Sequence, residues 1–262
     1  MQLKMYQVDA FTSKLFSGNP AAVVILESTI SDNLMQSIAS ENNLSETAFV
    51  SINVNPISIR WFTPSIEVNL CGHATLASAR ILFEHFPDLA GTEISFDSKS
   101  GLLRVTKNGD SLSLDFPIDQ PTLLDLDPFF TEALGNEPVK LLRGKDDYLA
   151  VFKNQSQIEN MQPNLSLLSK INSRGIVISA PGDNVDFVSR CFYPEAGIEE
   201  DPVTGSAHTM LTPYWANQLN KDVLEAYQLS ERGGKLNCRL VNNRVFISGN
   251  SVIYFDGIIS IV

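Results

Sequence analysis

Residues 59–75 read IRWFTPSIEVNLCGHAT, the pattern of a strand, a loop and the start of a buried helix. A second stretch repeats it, over 189–194 and then, after a longer acidic loop, over 204–208. Both copies run Arg-x-Phe-x-Pro, a loop, and then Gly-x-Ala. The glycine follows the arginine by 12 residues in the first copy and by 15 in the second. The repetition indicates a duplicated unit if the surrounding elements recur as well.

The surrounding elements do recur in the same order. A helix, two strands, a loop, a Gly-x-Ala helix, a strand and a hairpin follow one another in both halves. An amphipathic helix over 31–43 and a helix over 164–171 each begin 41 residues before the glycine that opens the next helix. Asn108-Gly109 and Asn242-Asn243 are the predicted hairpin turns. An α+β chain with two similar lobes is therefore predicted.

The two Gly-x-Ala helices are predicted to be buried. Residues 72–86 are apolar almost all round for two turns, which is typical of a helix surrounded by protein. The second helix runs from Gly205 to about Leu219, and Pro213 is expected to bend it or to mark a short first turn. The unsatisfied N–H groups and partial positive charge at each helix start favour an anion, unless each glycine serves only close packing.

Composition limits the partners and the compartment. The 262 residues carry a formal net charge of −11, which argues against nucleic acid or an anionic membrane as a partner. The three cysteines show neither metal-site spacing nor a disulfide framework, so a reducing, cytoplasmic compartment is expected. We expect no signal peptide and no membrane-spanning segment, because no apolar run is long enough.

Five motifs lie between the N-terminus and residue 208 and fit one known family. They are VDAFT (8–12), FSGNPAAV (16–23), SETAF (45–49), LCGHAT (70–75) and EDPVTGSAH (200–208). With them the sequence resembles the PhzF-like isomerases, named after a phenazine biosynthesis protein, which share the diaminopimelate epimerase fold. The resemblance implies two pseudo-symmetric lobes, 1–118 and 119–262, each a β-barrel-like sheet around a central helix, with the site in the cleft between them.

The resemblance also implies a set of site residues. Glu46 matches the general acid/base of the family. The residues implied to line the same site, with the helix-end amides of the two glycines, are Gly72, His73, Asp201, Gly205 and Ser206. No metal and no organic cofactor is expected, and members of the family are often dimeric, which makes a homodimer an option here.

The residues themselves leave alternatives open at these positions. Glu46 opens an apolar strand, where partial desolvation would raise its pKa, but a strand-end glutamate can also be exposed. His73 lies in the first turn of a helix, whose dipole favours the neutral ring, or it is a cap or packing residue. Asp201 could take or orient a proton, or it caps the second helix region, and Ser206 is either a cap or a hydrogen-bond donor to substrate.

Other polar and sulfur-bearing residues are expected to be structural. Arg60 and Arg190 occupy matching positions in the two repeats and are interpreted as members of scaffold ion pairs. His208 is expected to be structural and His85 to lie at the surface. The pattern places Cys191 and Cys238 in strands as packing residues.

Cys71 decides between two enzymatic readings. In the racemases and epimerases of this fold, two thiols flank the substrate carbon, and Cys71 matches the first of them. The equivalent residue of the second repeat is Thr204, whose hydroxyl is far too weak an acid for a symmetric two-thiol mechanism. We therefore favour a cofactor-independent isomerase that moves a proton within a small, carboxylate-bearing metabolite by means of Glu46 alone. The alternatives are a racemase, epimerase or dehydratase that uses Cys71, and a non-catalytic metabolite-binding protein.

Overall fold

The computed structural model describes residues 1–261, apart from the side chain of Ala196. The first elements are β1 (Gln2–Ala10), β2 (Asn19–Leu26), α1 (Asp32–Asn42), β3 (Glu46–Ser51), β4 (Ile57–Phe62), β5 (Glu67–Val68), α2 (Gly72–His85), α3 (Pro87–Ala90), β6 (Glu93–Ser98), β7 (Gly101–Asn108) and β8 (Ser111–Pro117). They are followed by β9 (Thr122–Leu124), α4 (Pro128–Leu134), β10 (Lys140–Arg143), β11 (Asp147–Val151), α5 (Gln155–Glu159), α6 (Leu165–Leu168), β12 (Gly175–Pro181), β13 (Phe187–Tyr193), a 3-10 turn (Pro194–Ala196), β14 (Ile198–Asp201), α7 (Gly205–Leu219), β15 (Val223–Gln228), β16 (Gly234–Val241), β17 (Arg244–Gly249) and β18 (Ser251–Ser260).

The chain divides into two compact units. Unit 1 contains Met1–Asp115 together with the residues from Ser248 onward, and unit 2 contains Phe116–Ile247. The sequence-based lobes put β18 in the second half, whereas in the structure β18 pairs along the whole of β1. Strand pairing between the two ends of a chain has no local sequence signal, and for this reason the two divisions differ.

In unit 1 the sheet surrounds a buried helix. Strand β1 is antiparallel to β2, which is parallel to β3, and β3 is antiparallel to β4. Next, β4 is parallel to β6, and β6 and β7 are antiparallel. Helix α2 contacts β1, β2, β3, β7 and β18, and nearly all of its residues are buried, as the apolar pattern predicts.

Unit 2 has the same succession of pairings. Strand β10 is antiparallel to β11, which is parallel to β12, and β12 is antiparallel to β13. Next, β13 is parallel to β15, and β15 and β16 are antiparallel. Helix α7 packs against β15 and β16. The order and direction of the strands thus repeat between the units, as expected of a duplicated α+β chain.

Local sequence chemistry explains several element ends. Ser31 caps α1 by accepting a hydrogen bond from the Leu34 amide, and Asn43 ends the helix in the left-handed conformation. The two predicted hairpin turns join β7 to β8 and β16 to β17, with positive φ at Gly109 and Asn242.

Pro213 does not interrupt α7, which runs unbroken from Gly205 to Leu219. A proline removes the N–H that would bond the carbonyl four residues earlier, here that of Thr209. The Asp119 amide donates to this Thr209 oxygen instead, at 3.1 Å. Since the carbonyl is satisfied from outside the helix, the short first turn expected from the sequence is not observed.

The outer faces carry the shorter helices. In unit 1, Met35, Ile38 and Ala39 of α1 pack on Val24 and Phe49 of the sheet. In unit 2, helices α4, α5 and α6 contribute to a second apolar cluster over β11, β12 and β13. The sequence predicted neither α4 nor α5, and the helix expected over 164–171 is only the four-residue α6, capped by Asn164. Among the described residues, no helix is long and apolar enough to cross a membrane.

The repeated arginines form the scaffold ion pairs expected from the sequence. Arg60 binds Glu67 through two hydrogen bonds of 2.7 and 2.8 Å, and Arg190 binds Glu200 through two of 2.7 and 2.9 Å. Each pair ties a long strand to the short strand that follows it, β4 to β5 and β13 to β14. Arg190 also donates to two carbonyl oxygens, at residues 158 and 161.

We predict that Arg190→Met lowers the free energy of unfolding by about 2–4 kcal/mol, because Glu200 and two carbonyls lose a largely buried partner. Urea denaturation measures this change. Lys235→Gln is the matched control, since the Lys235–Glu225 pair is half exposed on both sides and its loss costs less than about 1 kcal/mol. An equally small loss for Arg190→Met would contradict the scaffold role.

Candidate active site

The start of α2 is a buried helix N-terminus with polar side chains beside it. Cys71 precedes it in extended conformation, with φ −144° and ψ 110°, and Gly72 is the first helical residue. The Thr75 hydroxyl donates to the Cys71 carbonyl at 2.6 Å, which closes the first turn. The N–H groups of a first turn have no partner within the helix, and they point with the positive end of the helix dipole toward whatever lies ahead.

Glu46 reaches this helix start from β3. It is the first residue of the strand and pairs in register with Ala21 of β2. Its side chain is only 13% exposed, and its Oε2 lies 3.3 Å from Nε2 of His73. Among the alternatives that the sequence left open, the exposed strand-end glutamate is therefore excluded.

His73 is buried between three side chains. Its Nε2 faces Glu46, while its Nδ1 lies 3.2 Å from Asn19 Nδ2 and 3.5 Å from Cys71 Sγ. Burial lowers the pKa of His73 to about 3, so the ring is neutral at physiological pH. The neutral ring expected from the helix dipole is thus also what burial produces.

Asn19 is a site residue that the sequence analysis missed. It lies within the FSGNPAAV motif, where Gly, Asn and Pro together read as a turn. In the structure Asn19 opens β2, is fully buried, and contacts a histidine 54 positions away in the chain. Its membership of the motif was the available signal, but nothing local identified the partner.

Three of these side chains could together hold a metal ion. Glu46, Cys71 and His73 each offer one ligand atom, and the three atoms lie within 4.8 Å of one another. Carboxylate, thiolate and imidazole are ligands that zinc accepts. Proton transfer by a carboxylate beside an imidazole, by contrast, needs only the protein groups.

Unit 2 has an equivalent helix start with different chemistry. Thr204 holds the position of Cys71, immediately before Gly205, the first residue of α7. The Thr204 hydroxyl donates a short hydrogen bond to Asp201, so its proton already has an acceptor. Asp201 and Gly205 are buried, whereas Ser206, in the first turn of α7, is partly exposed.

Gln228 holds the loop that leads into α7, and no motif or local pattern pointed to this residue. Its Oε1 accepts from the Thr204 amide at 2.8 Å, and its Nε2 donates to the Asp201 carbonyl at 2.7 Å. The side chain is fully buried at the end of β15. Because the carbonyl oxygen and the NH₂ group of the Gln228 side chain are both hydrogen-bonded to this loop, they hold the backbone over 201–204 from one side.

His208 is buried in the same helix, and its contacts are with a backbone carbonyl and an aromatic ring. Its Nδ1 lies 2.8 Å from the Thr204 carbonyl, and its ring packs near Phe187. Burial lowers its pKa to about 4, against the small opposing effect of this hydrogen bond. The structural role expected for His208 agrees with these contacts, and His85 is exposed, as predicted.

The remaining cysteines are packing residues, as expected. Cys191 and Cys238 are buried in β13 and β16. Burial raises the pKa of Cys191 far above its usual range and that of Cys238 to about 12. Neither thiol can therefore act with Cys71 as a second proton carrier at physiological pH.

The predicted site residues thus form two groups. Within unit 1 the structure brings Glu46, Cys71 and His73 into contact at the start of α2. Within unit 2 it brings Asp201 and Thr204 together beside the start of α7. A buried carboxylate beside a neutral imidazole at a helix N-terminus is an arrangement suited to proton transfer next to a developing negative charge.

This fold is the diaminopimelate epimerase-like fold of isomerases and racemases. A probable proline racemase from Agrobacterium radiobacter K84 superposes with a TM-score of 0.64 at 9% identity, covering 99% of this chain and 93% of that chain. At such low identity the likeness concerns the fold alone.

Residues 8–257 match the family model for PhzC-PhzF, the phenazine biosynthesis-like proteins, and the chain belongs to this family. The crystal structure of a PhzF family protein from Enterococcus faecalis is 43% identical, with a TM-score of 0.96 over all of both chains. An uncharacterized isomerase from Pseudomonas aeruginosa is 48% identical over 98% of both chains. The resemblance seen in the motifs is confirmed, and the chain is an isomerase of the PhzF family.

The buried histidines predict a loss of stability in acid. Below a pH of about 6.5 the unfolded chain binds a proton at His208 that the folded chain excludes, so the free energy of unfolding falls as the pH drops toward 4. One such group contributes at most about 1.4 kcal/mol per pH unit. His208→Asn, whose amide can still donate to Thr204, should flatten the slope by up to that amount.

Chemical denaturation between pH 7 and pH 4.5 measures this slope. His85→Asn, a change at an exposed ring, is the control and should leave the slope unchanged. Equal slopes in wild type and His208→Asn would mean that His208 takes up its proton in the folded state.

Proposed function

We propose that this enzyme is a cofactor-independent isomerase of a small carboxylate-bearing metabolite, with Glu46 as the single general base and acid. The observation that carries the proposal is the contact of the largely buried Glu46 carboxylate with neutral His73 at the start of α2. A buried carboxylate of this kind can exchange its proton with a bound carbon acid rather than with bulk water.

The proposed reaction conserves atoms and electrons. The Glu46 carboxylate removes a proton from a carbon activated by a neighbouring unsaturated or carbonyl group, and the electron pair of the broken C–H bond delocalises over the substrate. The same carboxyl group then returns the proton to another carbon of the delocalised anion. The product is an isomer, and Glu46 is regenerated in its starting form.

The helix starts are proposed to bind the anion and its developing charge. The helices beginning at Gly72 and Gly205 have 14 and 15 residues, long enough to develop a dipole, and their first-turn N–H groups are donors. Ser206 and Asp201 are proposed as further substrate contacts. A local positive field of this kind is needed, because the net charge of −11 repels an anion at long range.

Two observations favour one base over a pair of thiols. The position equivalent to Cys71 is Thr204, and its hydroxyl is engaged by Asp201. The other two cysteines are buried packing residues with raised pKa values. The contact of Cys71 Sγ with His73 Nδ1 nevertheless makes Cys71 the residue to test beside Glu46, since a racemase, epimerase or dehydratase would use it.

The setting proposed is a cytoplasmic enzyme acting on free metabolites. The three cysteines form no disulfide within the described chain, which is consistent with a reducing compartment. The acidic composition opposes binding to nucleic acid and to anionic membranes. The family resemblance also implies a homodimer as one possible assembly, and light scattering of the purified protein would test it.

We predict that Glu46→Gln lowers proton exchange by about 10³-fold or more while the fold is retained, because the amide cannot act as a base. Candidate carboxylates are first selected by thermal shift with the wild-type enzyme. Deuterium incorporation from heavy water into each is then followed by mass spectrometry. Glu41→Gln, at an exposed position of α1, is the matched control and should exchange like wild type.

Three other outcomes would each replace the proposal. Unchanged exchange in Glu46→Gln removes the assigned base. Loss of exchange in Cys71→Ser with Glu46→Gln tolerated supports the thiol-dependent racemase, epimerase or dehydratase. Tight binding of carboxylates without any deuterium incorporation in wild type supports a metabolite-binding protein.

We predict that Ser206→Ala weakens binding of the substrate carboxylate and raises KM several-fold, with less effect on kcat. The free energy of unfolding should change by less than about 1 kcal/mol, since Ser206 is partly exposed. The exchange assay at several substrate concentrations separates the two constants. An unchanged KM would remove Ser206 from the substrate contacts.

A further inference from the structure

The backbone that carries Asn19 is tightly constrained. Asn19 pairs in register with Ala10 at the first position of β2 and is fully buried. Gly18 precedes it with φ +67°, and a Cβ at Gly18 would lie 2.1 Å from the Ala10 carbonyl oxygen. Only glycine fits there, so the chain enters β2 along a backbone path that starts the Asn19 side chain beside His73.

One side-chain amide contacts a single ring nitrogen of His73. The Asn19 amide nitrogen lies 3.2 Å from Nδ1, whereas the Cys71 sulfur lies beside both nitrogens, 3.5 Å from Nδ1 and 3.9 Å from Nε2. An amide NH₂ group only donates, and a thiol is a donor toward a basic nitrogen. A neutral imidazole carries one proton, so an Nδ1 that accepts leaves the proton on Nε2.

The other ring nitrogen faces the proposed base. Nε2 lies 3.3 Å from Glu46 Oε2, so a protonated Nε2 places its N–H group on the side of that carboxylate. The opposite tautomer would place a lone pair of electrons against the carboxylate oxygens. The tautomer of His73 therefore determines whether Glu46 has a hydrogen-bond donor beside it in its ionised, base form.

We propose that Asn19 is a positioning residue that acts through His73, fixing the Nε2–H tautomer so that the ring donates to Glu46. The role of this donation in the reaction rests on the proposed function of Glu46, whereas the tautomer itself is a property of the resting protein. Asn19 is not proposed to touch the substrate.

His208 supplies an internal comparison, because its proton is expected on the other ring nitrogen. Its Nδ1 lies 2.8 Å from the Thr204 carbonyl oxygen, which only accepts, so its proton is on Nδ1. Its Nε2 is buried and has no hydrogen-bond partner among the described residues. The two buried histidines of this protein are thus expected to be opposite tautomers, and one spectrum can show both.

The test is long-range ¹H–¹⁵N correlation NMR of the three imidazole rings in ¹⁵N-labelled protein near neutral pH. His85→Gln removes the exposed ring, and His208→Asn assigns one of the other two. The expected result is an unprotonated Nδ1 and a protonated Nε2 for His73, with the reverse for His208. A wild-type His73 protonated on Nδ1 would overturn the proposal without any variant being needed.

Asn19→Asp is the decisive variant, because it replaces the donor by an acceptor of the same shape. His73 should then carry a proton on Nδ1, either by changing tautomer or by taking a second proton. Asn42→Asp is the matched control, since Asn42 bonds the Thr47 hydroxyl next to the base but does not contact His73. It should leave the His73 signals in place.

Cys71→Ala separates the effect of the Asn19 amide from that of the thiol, which lies beside both ring nitrogens. If Asn19 fixes the tautomer, the His73 spectrum is retained when the thiol is removed. If Cys71→Ala moves the proton to Nδ1 while Asn19→Asp does not, the thiol and not the amide is the positioning group, and the proposal fails.

The consequence for Glu46 is followed by the ¹³C chemical shift of its carboxyl carbon near neutral pH. The shift should change in Asn19→Asp with a changed tautomer and stay at the wild-type value in Asn42→Asp. An Asn19→Asp protein with the changed tautomer but the wild-type carboxyl shift would show that Asn19 does not act on Glu46. These spectra need no substrate, so failure of deuterium exchange in Glu46→Gln tests the proposed function separately.

Discussion

Burial of a central helix is the constraint on which each unit depends. Helix α2 contacts strands on several sides, and most of its residues are buried. Such a helix can present backbone polar groups only at its ends, because its middle is hydrogen-bonded internally and covered. The start of α2 is consequently the polar place in an apolar interior. Polar side chains that reach it, such as Glu46 and His73, are desolvated by the same packing that buries the helix.

The duplicated parts of the chain share a scaffold but not a chemistry. Each unit has the same succession of parallel and antiparallel pairs, and each has a bidentate arginine–glutamate pair between a long and a short strand. At the residue before each buried helix the units differ, with a thiol at Cys71 and a hydroxyl at Thr204. The repeated features hold backbone in place, whereas the residues that differ lie at the starts of the two buried helices.

Much of this scaffold could be predicted from the sequence, because it follows from local patterns. Apolar periodicity, the Ser31 cap and the glycine-opened helices are readable within a few residues, and the repeated order of elements indicated the duplication. The short elements α4 and α5 carry too few residues for a periodic pattern. The pairing of β18 with β1 joins the two ends of the chain, which no local window can reveal.

The site divides in the same way. Glu46, Cys71 and His73 lie in motifs that the family resemblance identifies. The resemblance implied residues of one site but not which atoms meet. The two amide side chains were missed, since Asn19 reads as a turn residue and Gln228 as a polar residue at the end of a strand. Their importance comes from partners 54 and 24 positions away, and an amide has no sequence pattern that names its partner.

A single proton-carrying group places a stricter demand on its surroundings than a pair does. Two bases on opposite sides of a carbon can each start the reaction in one fixed protonation state. A lone carboxylate must be stable both ionised and protonated within one turnover. Neutral His73 meets that demand better than a cation would, because it can donate to the carboxylate without holding it permanently in the charged form. Burial keeps the imidazole neutral, and the proposed tautomer would keep its proton on the side of Glu46. On this view the packing around α2 and the amide of Asn19 serve one requirement, a donor beside the base that carries no charge of its own.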